Sequence, residues 1–394
     1  MPSVVDPGVL AAASAPAFLP SLVAAVIAGA AIAYVCQRIG LVPIVGFLVA
    51  GVVIGPNALG VVTDQGTVSA AAEIGVILLL FSIGIEFSLA RLAAIRRLIL
   101  VGGTLQVGLA IGLTTAILLA LGVAWEAAVF TGMLVSLSST AIVLKLLSAR
   151  GEMRAPHGQA ALGLLLFQDL AIVAMVLVVP MLGTGGGSLL DLGDAVVRGV
   201  LVVAVVIVVA RRLMPPVLEL VARACSAEVF LAAVVAICFG TAYLTSLAGV
   251  SVSLGAFLAG LMVSESRFSE HAFGEIKPLE IIFSGTFFVS VGMLLDPGFL
   301  LDEPLLVLAA VAGILLVKAA TGAVAVRALG RTAGTAAFTG LLLAQIGEFS
   351  FVLEQVGRSA GLSPGGQGAE GVQAFIAATV LLMAATPLLA LAGR

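Results

Sequence analysis

The sequence predicts an all-α polytopic membrane protein with about 13 transmembrane helices, arranged as inverted repeats with crossed, broken helices. Three observations carry this. Of the 394 residues, 61% are hydrophobic and 10% are charged, against roughly 25% charged residues in a soluble domain. Apolar runs long enough to cross about 30 Å of hydrocarbon recur from end to end. The second half of the chain repeats the first at an offset of about 209, as Gly51 onto Gly260. The mean hydropathy of +1.27 excludes an ordinary cytosolic enzyme, a nucleic-acid binder and a disordered chain. A net charge of −3 offers nothing to a polyanionic partner. Cys36, Cys225 and Cys238 form no CxxC pair or disulfide framework, and two histidines cannot build a zinc cluster.

The elements follow in order. The first span, 18–36, comes after Met1–Pro20, which lacks a basic region and is not expected to be a signal peptide. The second, 40–55, is short and glycine-interrupted. Span 67–86 carries Glu73 and Glu86, expected near its ends at the interface. Spans 97–121 and 125–147 follow, the latter holding the hydroxyl cluster Ser136–Thr140. Span 158–182 holds Gln168 and Asp169, and 194–214 is a valine-rich run. Span 227–247, the short 250–264 and 278–294 come next. Span 304–326 holds Lys318, 333–356 holds Glu348, and 372–391 is the last.

Positive charge supports the order. With the N-terminus outside and loops alternating, fifteen of the 18 Lys and Arg residues fall inside, as cytoplasmic loops require. Arg198 and Arg358 fall outside, and Lys318 stays within a span. One missed helix would scramble every later loop.

The repeat places Gly40–Gly51 over Gly249–Gly260, Ser82-Ile-Gly84 over Ser290-Val-Gly292, and Leu134–Leu144 over Leu343–Leu353. Seven spans separate each element from its copy. Seven is odd, so the copy crosses the membrane in the opposite sense. Inverted repeats mark secondary transporters, whose site lies near the midplane where the repeats meet. Gly46, Ala50 and Gly51 suit close helix packing.

Ionisable groups in hydrocarbon each need a reason. Asp169 lies about twelve residues into its span, roughly 18 Å deep. A carboxylate there holds a proton or a dehydrated monovalent cation, but hardly both. Lys318 is also central, as a counter-charge or a structural pair. Glu348, in Gln345-Ile-Gly-Glu-Phe-Ser350, is placed to bond freed backbone groups. The hydroxyls of Ser136, Ser138, Ser139 and Thr140 either back-bond to carbonyls in a continuous helix or mark a break. Their repeat copy is equally polar and glycine-bearing, which favours crossed broken helices. The acid itself is single, because the copy of Asp169 is Ala378.

These residues resemble a known family. Leu137-Ser-Ser-Thr-Ala-Ile-Val-Leu144, Arg150-Gly-Glu152, Leu164-Leu-Leu-Phe-Gln-Asp-Leu-Ala-Ile-Val173, Gly255-Ala-Phe-Leu-Ala-Gly260 and Phe287-Phe-Val-Ser-Val-Gly-Met293 resemble the Kef-type potassium/proton antiporters of the second monovalent cation:proton antiporter family. Glu73–Phe81 and Gln345–Leu353 extend the resemblance over nearly the whole chain. It implies a sodium/proton-antiporter-like fold and a homodimer embedded in membrane lipid. A scaffold would comprise residues 1–95 and 226–299, and an ion-binding core 96–183 and 300–394, with a linker helix in 184–225. It would put cation and proton on Asp169, with Gln168, Ser138, Ser139 and Thr140 beside them, and Lys318 and Glu348 as core charge or coupling groups.

The implied activity is electroneutral potassium/proton exchange by elevator-type alternating access. Sodium/proton exchange on the same fold and a cation channel are the alternatives. Gln168 departs from the second Asp, or the Asn, found at this position in related sodium antiporters, and so favours potassium. No cofactor is called for, and no nucleophile–base pair supports an enzyme. The expected place is the inner membrane, N-terminus outside and C-terminus cytoplasmic. Full Kef proteins carry a cytosolic regulatory domain after the last span. With the sequence ending at Arg394, such a domain or subunit is expected to be absent from this chain.

Overall fold

A computed structural model describes residues 18–62, 65–86, 98–183, 212, 216, 219–221, 226–247 and 252–392. Among them every regular element is helical. The helices are α1 (Phe18–Arg38), α2 (Pro43–Ile54), α3 (Gln65–Glu86), α4 (Thr104–Ala120), α5 (Trp125–Ser136), α6 (Thr140–Ala149) and α7 (Pro156–Gly183). They continue with α8 (Ala227–Leu247), α9 (Val252–Ser264), α10 (Ser269–Met293), α11 (Pro304–Ala328), α12 (Ala333–Leu342), α13 (Phe349–Ser359) and α14 (Gly368–Ala392). A short π-helix, Leu98–Gly103, leads into α4.

Eight helices are long and apolar enough to cross a membrane, or nine when the bent pair Pro156–Ile172 and Ala174–Gly183 counts as one span. Thirteen is therefore not reached among the described residues. The expected spans 40–55 and 250–264 are helices of 12 and 13 residues. The expected span 333–356 is split into α12 and α13. Most of the span 194–214 and of the linker 184–225, with Arg198 and Cys225, lie outside the described residues. Glu73 differs from expectation. It sits eight residues into α3, in the body of the helix rather than near an end, and its side chain is exposed.

The repeat is written into the packing. Gly51 lies against the backbone of Val289 and Gly292, and Gly260 lies against the backbone of Phe81 and Gly84. The offset that carries Gly51 onto Gly260 carries Gly84 onto Gly292, within one residue. Each contact is thus the image of the other. Likewise Gly46 meets Ala33, and Gly255 meets Ala242. A side chain at any of these glycines would meet backbone, so only a bare Cα allows this approach. Self-paired contacts lie where the two copies cross: Gly75 against Ser284, and Gly347 against Ser138.

The helices pack as two sets. In one, α3 packs on α9 and α10, α2 on α1 and α10, and α8 on α9. In the other, α4 packs on α5 and α11, α11 on α12 and α14, and α7 on α12 and α13. The contacts of α7 with α9 and of α14 with α2 join them. The largest buried cluster draws on both sets, from Leu48 and Val76 to Phe130, Ile172, Phe351 and Phe375.

Candidate ion-binding site at the crossed helix breaks

Two breaks face each other inside the second set. The first separates α5 from α6. Leu137 (φ −85°, ψ 140°) and Ser139 (φ −75°, ψ 112°) are extended. The second runs from Leu343 to Glu348, between α12 and α13. Breaking a helix in hydrocarbon frees backbone groups, each of which costs several kcal/mol unless it finds a partner. The local sequence supplies those partners.

The Ser139 hydroxyl caps α6 by accepting the Ile142 N–H at 3.2 Å. The Ser138 hydroxyl crosses to the second break and donates to the Leu343 carbonyl at 2.9 Å. Ser350 returns the bond, donating to the Leu134 carbonyl at 2.8 Å. The Ser139 N–H donates to Gln345 Oε1 at 2.8 Å, and Gln345 Nε2 donates to the Ser139 carbonyl at 3.4 Å. The Leu137 carbonyl accepts from Lys318 Nζ at 2.7 Å and from the Gly347 N–H at 3.1 Å. Gly347 must be glycine, because a side chain there would strike the Ser138 backbone.

Asp169 is half-buried, and the Thr140 hydroxyl lies 3.2 Å from both of its carboxylate oxygens. Thr140 is the first residue of α6. The carboxylate therefore sits at the positive end of a helix dipole. The preceding residue, Gln168, is 1% exposed and accepts the Ser138 N–H at 2.7 Å. Glu348 is 6% exposed, immediately before α13. The Ser139 hydroxyl and the Ala141 backbone reach its carboxyl, while its Oε2 has no partner among the described residues.

All seven residues singled out in the sequence therefore line the two breaks or border them. Of the other six, Thr140 touches the Asp169 carboxylate. Gln168, Ser138 and Ser139 are engaged by the freed backbone. Lys318 lies on a carbonyl, and no ion pair includes it among the described residues. Two further glutamines belong to the site: Gln345, which the sequence offered only as part of the polar repeat segment, and Gln106, which it did not single out. Gln345 pairs with both polar groups of the Ser139 backbone, and Gln106, 1% exposed, accepts from Gln168 Nε2 at 2.7 Å. The available signal was a lone amide in an apolar span, which needs a partner as a charge does.

The profile of one family, described as the transmembrane sodium/hydrogen exchanger, matches residues 22–391. The chain belongs to the sodium/hydrogen exchanger family. It is accordingly a multi-pass membrane protein of a family of antiporters, not of enzymes. Among members of known sequence, the glutathione-regulated potassium-efflux system protein KefC of Klebsiella pneumoniae is 36% identical over 367 residues, covering 92% of this chain and 58% of that protein. KefC of Salmonella typhimurium is 36% identical over 359 residues, covering 90% of this chain and 57% of that protein. The chain thus spans less than two thirds of the length of these relatives. The solved structure of the sodium proton antiporter MjNhaP1 from Methanocaldococcus jannaschii matches with a TM-score of 0.66 at 16% identity, over 95% of this chain and 98% of that one. That likeness shows the sodium/hydrogen exchanger fold.

Proposed function

We propose that this exchanger is an electroneutral potassium/proton antiporter in which one cation and one proton compete for Asp169. The observation that carries the reading is the placement of the acid: Asp169 is half-buried beside the first break, with the Thr140 hydroxyl 3.2 Å from both of its carboxylate oxygens. A group that is both a base and a cation ligand couples the two ions without a further device. The similarity to potassium-efflux proteins favours potassium as cargo. The electroneutral reading further takes Lys318, held on the Leu137 carbonyl, to keep one protonation state throughout the cycle.

The movement proposed is alternating access. Residues 96–183 and 300–394 carry the ion against a scaffold of 1–95 and 226–299, linked by 184–225, in a homodimer of the inner membrane with its C-terminus in the cytoplasm. A cytosolic regulatory domain or subunit completes the proposal, because the relatives are much longer than this chain. Sodium/proton exchange is the second reading, favoured by the match to a sodium proton antiporter. The test is proton flux in proteoliposomes with potassium, sodium, rubidium or lithium. Potassium-dependent proton flux at carrier rates is expected. Flux with sodium alone selects the second reading, and cation current without proton counterflow overturns both.

A further inference from the structure

Two glutamines close a relay around the first helix break. The Ser138 N–H donates to Gln168 Oε1 at 2.7 Å, Gln168 Nε2 donates to Gln106 Oε1 at 2.7 Å, and Gln106 Nε2 donates to the Ser136 carbonyl at 3.4 Å. Both side chains are 1% exposed. The relay starts on a backbone donor and ends on a backbone acceptor. Each amide therefore has one permitted orientation, since turning either would set oxygen against oxygen or N–H against N–H. Two groups freed by the break, on either side of Leu137, are satisfied from α4 and α7 together. The Leu137 carbonyl goes instead to Lys318 and Gly347.

Gln168 and Asp169 are neighbours on α7, and Thr140, on the far side of the break, holds the Asp169 carboxylate. The position of the break relative to α7 therefore sets the distance between Thr140 and Asp169. In this arrangement Gln168 is engaged at both polar atoms and acts as the lock between the break and α7. Gln106 is what holds that lock in one orientation.

We propose that Gln106 is a positioning residue for ion exchange: by orienting the Gln168 amide onto Ser138, it sets the register between the first break and Asp169, and with it the affinity for the cation. Gln106 touches no ion and acts through Gln168. The inference rests on the reading of Asp169 as the exchange site.

The test uses the full chain in proteoliposomes and reads apparent KM and Vmax for the cation across a pH series. Gln106→Leu orphans the Gln168 N–H and the Ser136 carbonyl. It should raise KM about tenfold, the scale of a buried bond lost with its partner left behind, with a smaller change in Vmax. Gln106→Glu is the discriminating variant. Its protonated acid accepts from Gln168 and donates to Ser136 as the amide does, whereas its carboxylate only accepts. Its KM should match the unmodified protein at low pH and depart from it as pH rises. A double variant, Gln106→Leu with Gln168→Leu, should be no worse than the poorer single one.

KM and pH profiles of both single variants that superimpose on the unmodified protein overturn the proposal. So does a loss confined to thermal stability in detergent. Should Gln106→Leu fail to fold, Gln106→Glu still decides, because its two protonation states share one backbone. The unmodified arm separates the two claims: absence of cation-dependent proton flux there refutes the antiport reading itself, whereas normal flux with unaltered variants refutes only the role of Gln106.

Discussion

At the scale of the residue, the proposed exchange rests on one carboxylate. Asp169→Asn keeps the shape and the contact with Thr140 but removes the exchangeable proton and the charge that balances a cation. Exchange should fall to background while the protein remains folded. Cation-driven flux in liposomes together with a monodisperse elution profile checks this, and robust exchange by the folded variant contradicts the assignment. Competition also fixes the sign of the pH dependence. If, as proposed, a proton on Asp169 excludes the cation, raising pH frees the site and apparent KM should fall, by up to about tenfold per pH unit where protonation dominates. A KM that stays flat across the pH range over which the exchange rate itself changes would point to separate proton and cation sites. Asp169 was legible in the sequence because a carboxyl in an apolar span is costly to hold there and so marks an ion or proton pathway. Gln106 was not, because an amide carries no charge and its meaning lies in a residue 62 positions away.

At the scale of the element, the site is two interrupted helices held open by side chains. Hydroxyls and glycines in Ser136–Thr140 and Gln345–Ser350 announced the breaks. Their partners were invisible, since each bond across the crossing joins residues more than 200 positions apart. The two breaks touch where Gly347 lies against the Ser138 backbone. Gly347→Ala forces the breaks apart, and overpacking of this kind costs about 1–3 kcal/mol. A lowered melting temperature in detergent, accompanied by weakened exchange, is the expected outcome. Unchanged stability would mean that the breaks can separate without loss. Glycine in this role differs from Gly40 or Gly330, whose positive φ values of 87° and 81° simply turn the chain between helices.

At the scale of the whole molecule, duplication supplies the frame, and the acid proposed to carry the exchange is not duplicated. The paired contacts Gly51–Gly292 and Gly84–Gly260 bring four helices to close approach around the pseudo-symmetry axis. The charge balance of transport belongs to this scale too. On the proposed reading, one proton one way against one monovalent cation the other, with Lys318 keeping one protonation state, moves no net charge. Exchange should then be insensitive to an imposed membrane potential, since only a moved charge couples to it, at about 2.3 kcal/mol per 100 mV. Solid-supported-membrane recordings should show no sustained current. A current that persists at every lipid-to-protein ratio would mean that two protons move per cation, with Lys318 as the second carrier.

The sequence by itself determined the solvent, the helical class, the inverted repeat, the two breaks and the acid at their crossing. Hydrophobicity, small-residue spacing and misplaced charge are local properties, and each can be read from a short window of chain. The tertiary structure decided which polar side chain answers which freed backbone group. It set Lys318 on a carbonyl rather than beside a carboxylate, turned Gln168 toward Ser138 and Gln106, and left Thr140 on Asp169. Those pairings depend on the mutual approach of α4, α5, α7, α11 and α13 in hydrocarbon, where an unsatisfied donor must find whichever acceptor the packing brings within reach.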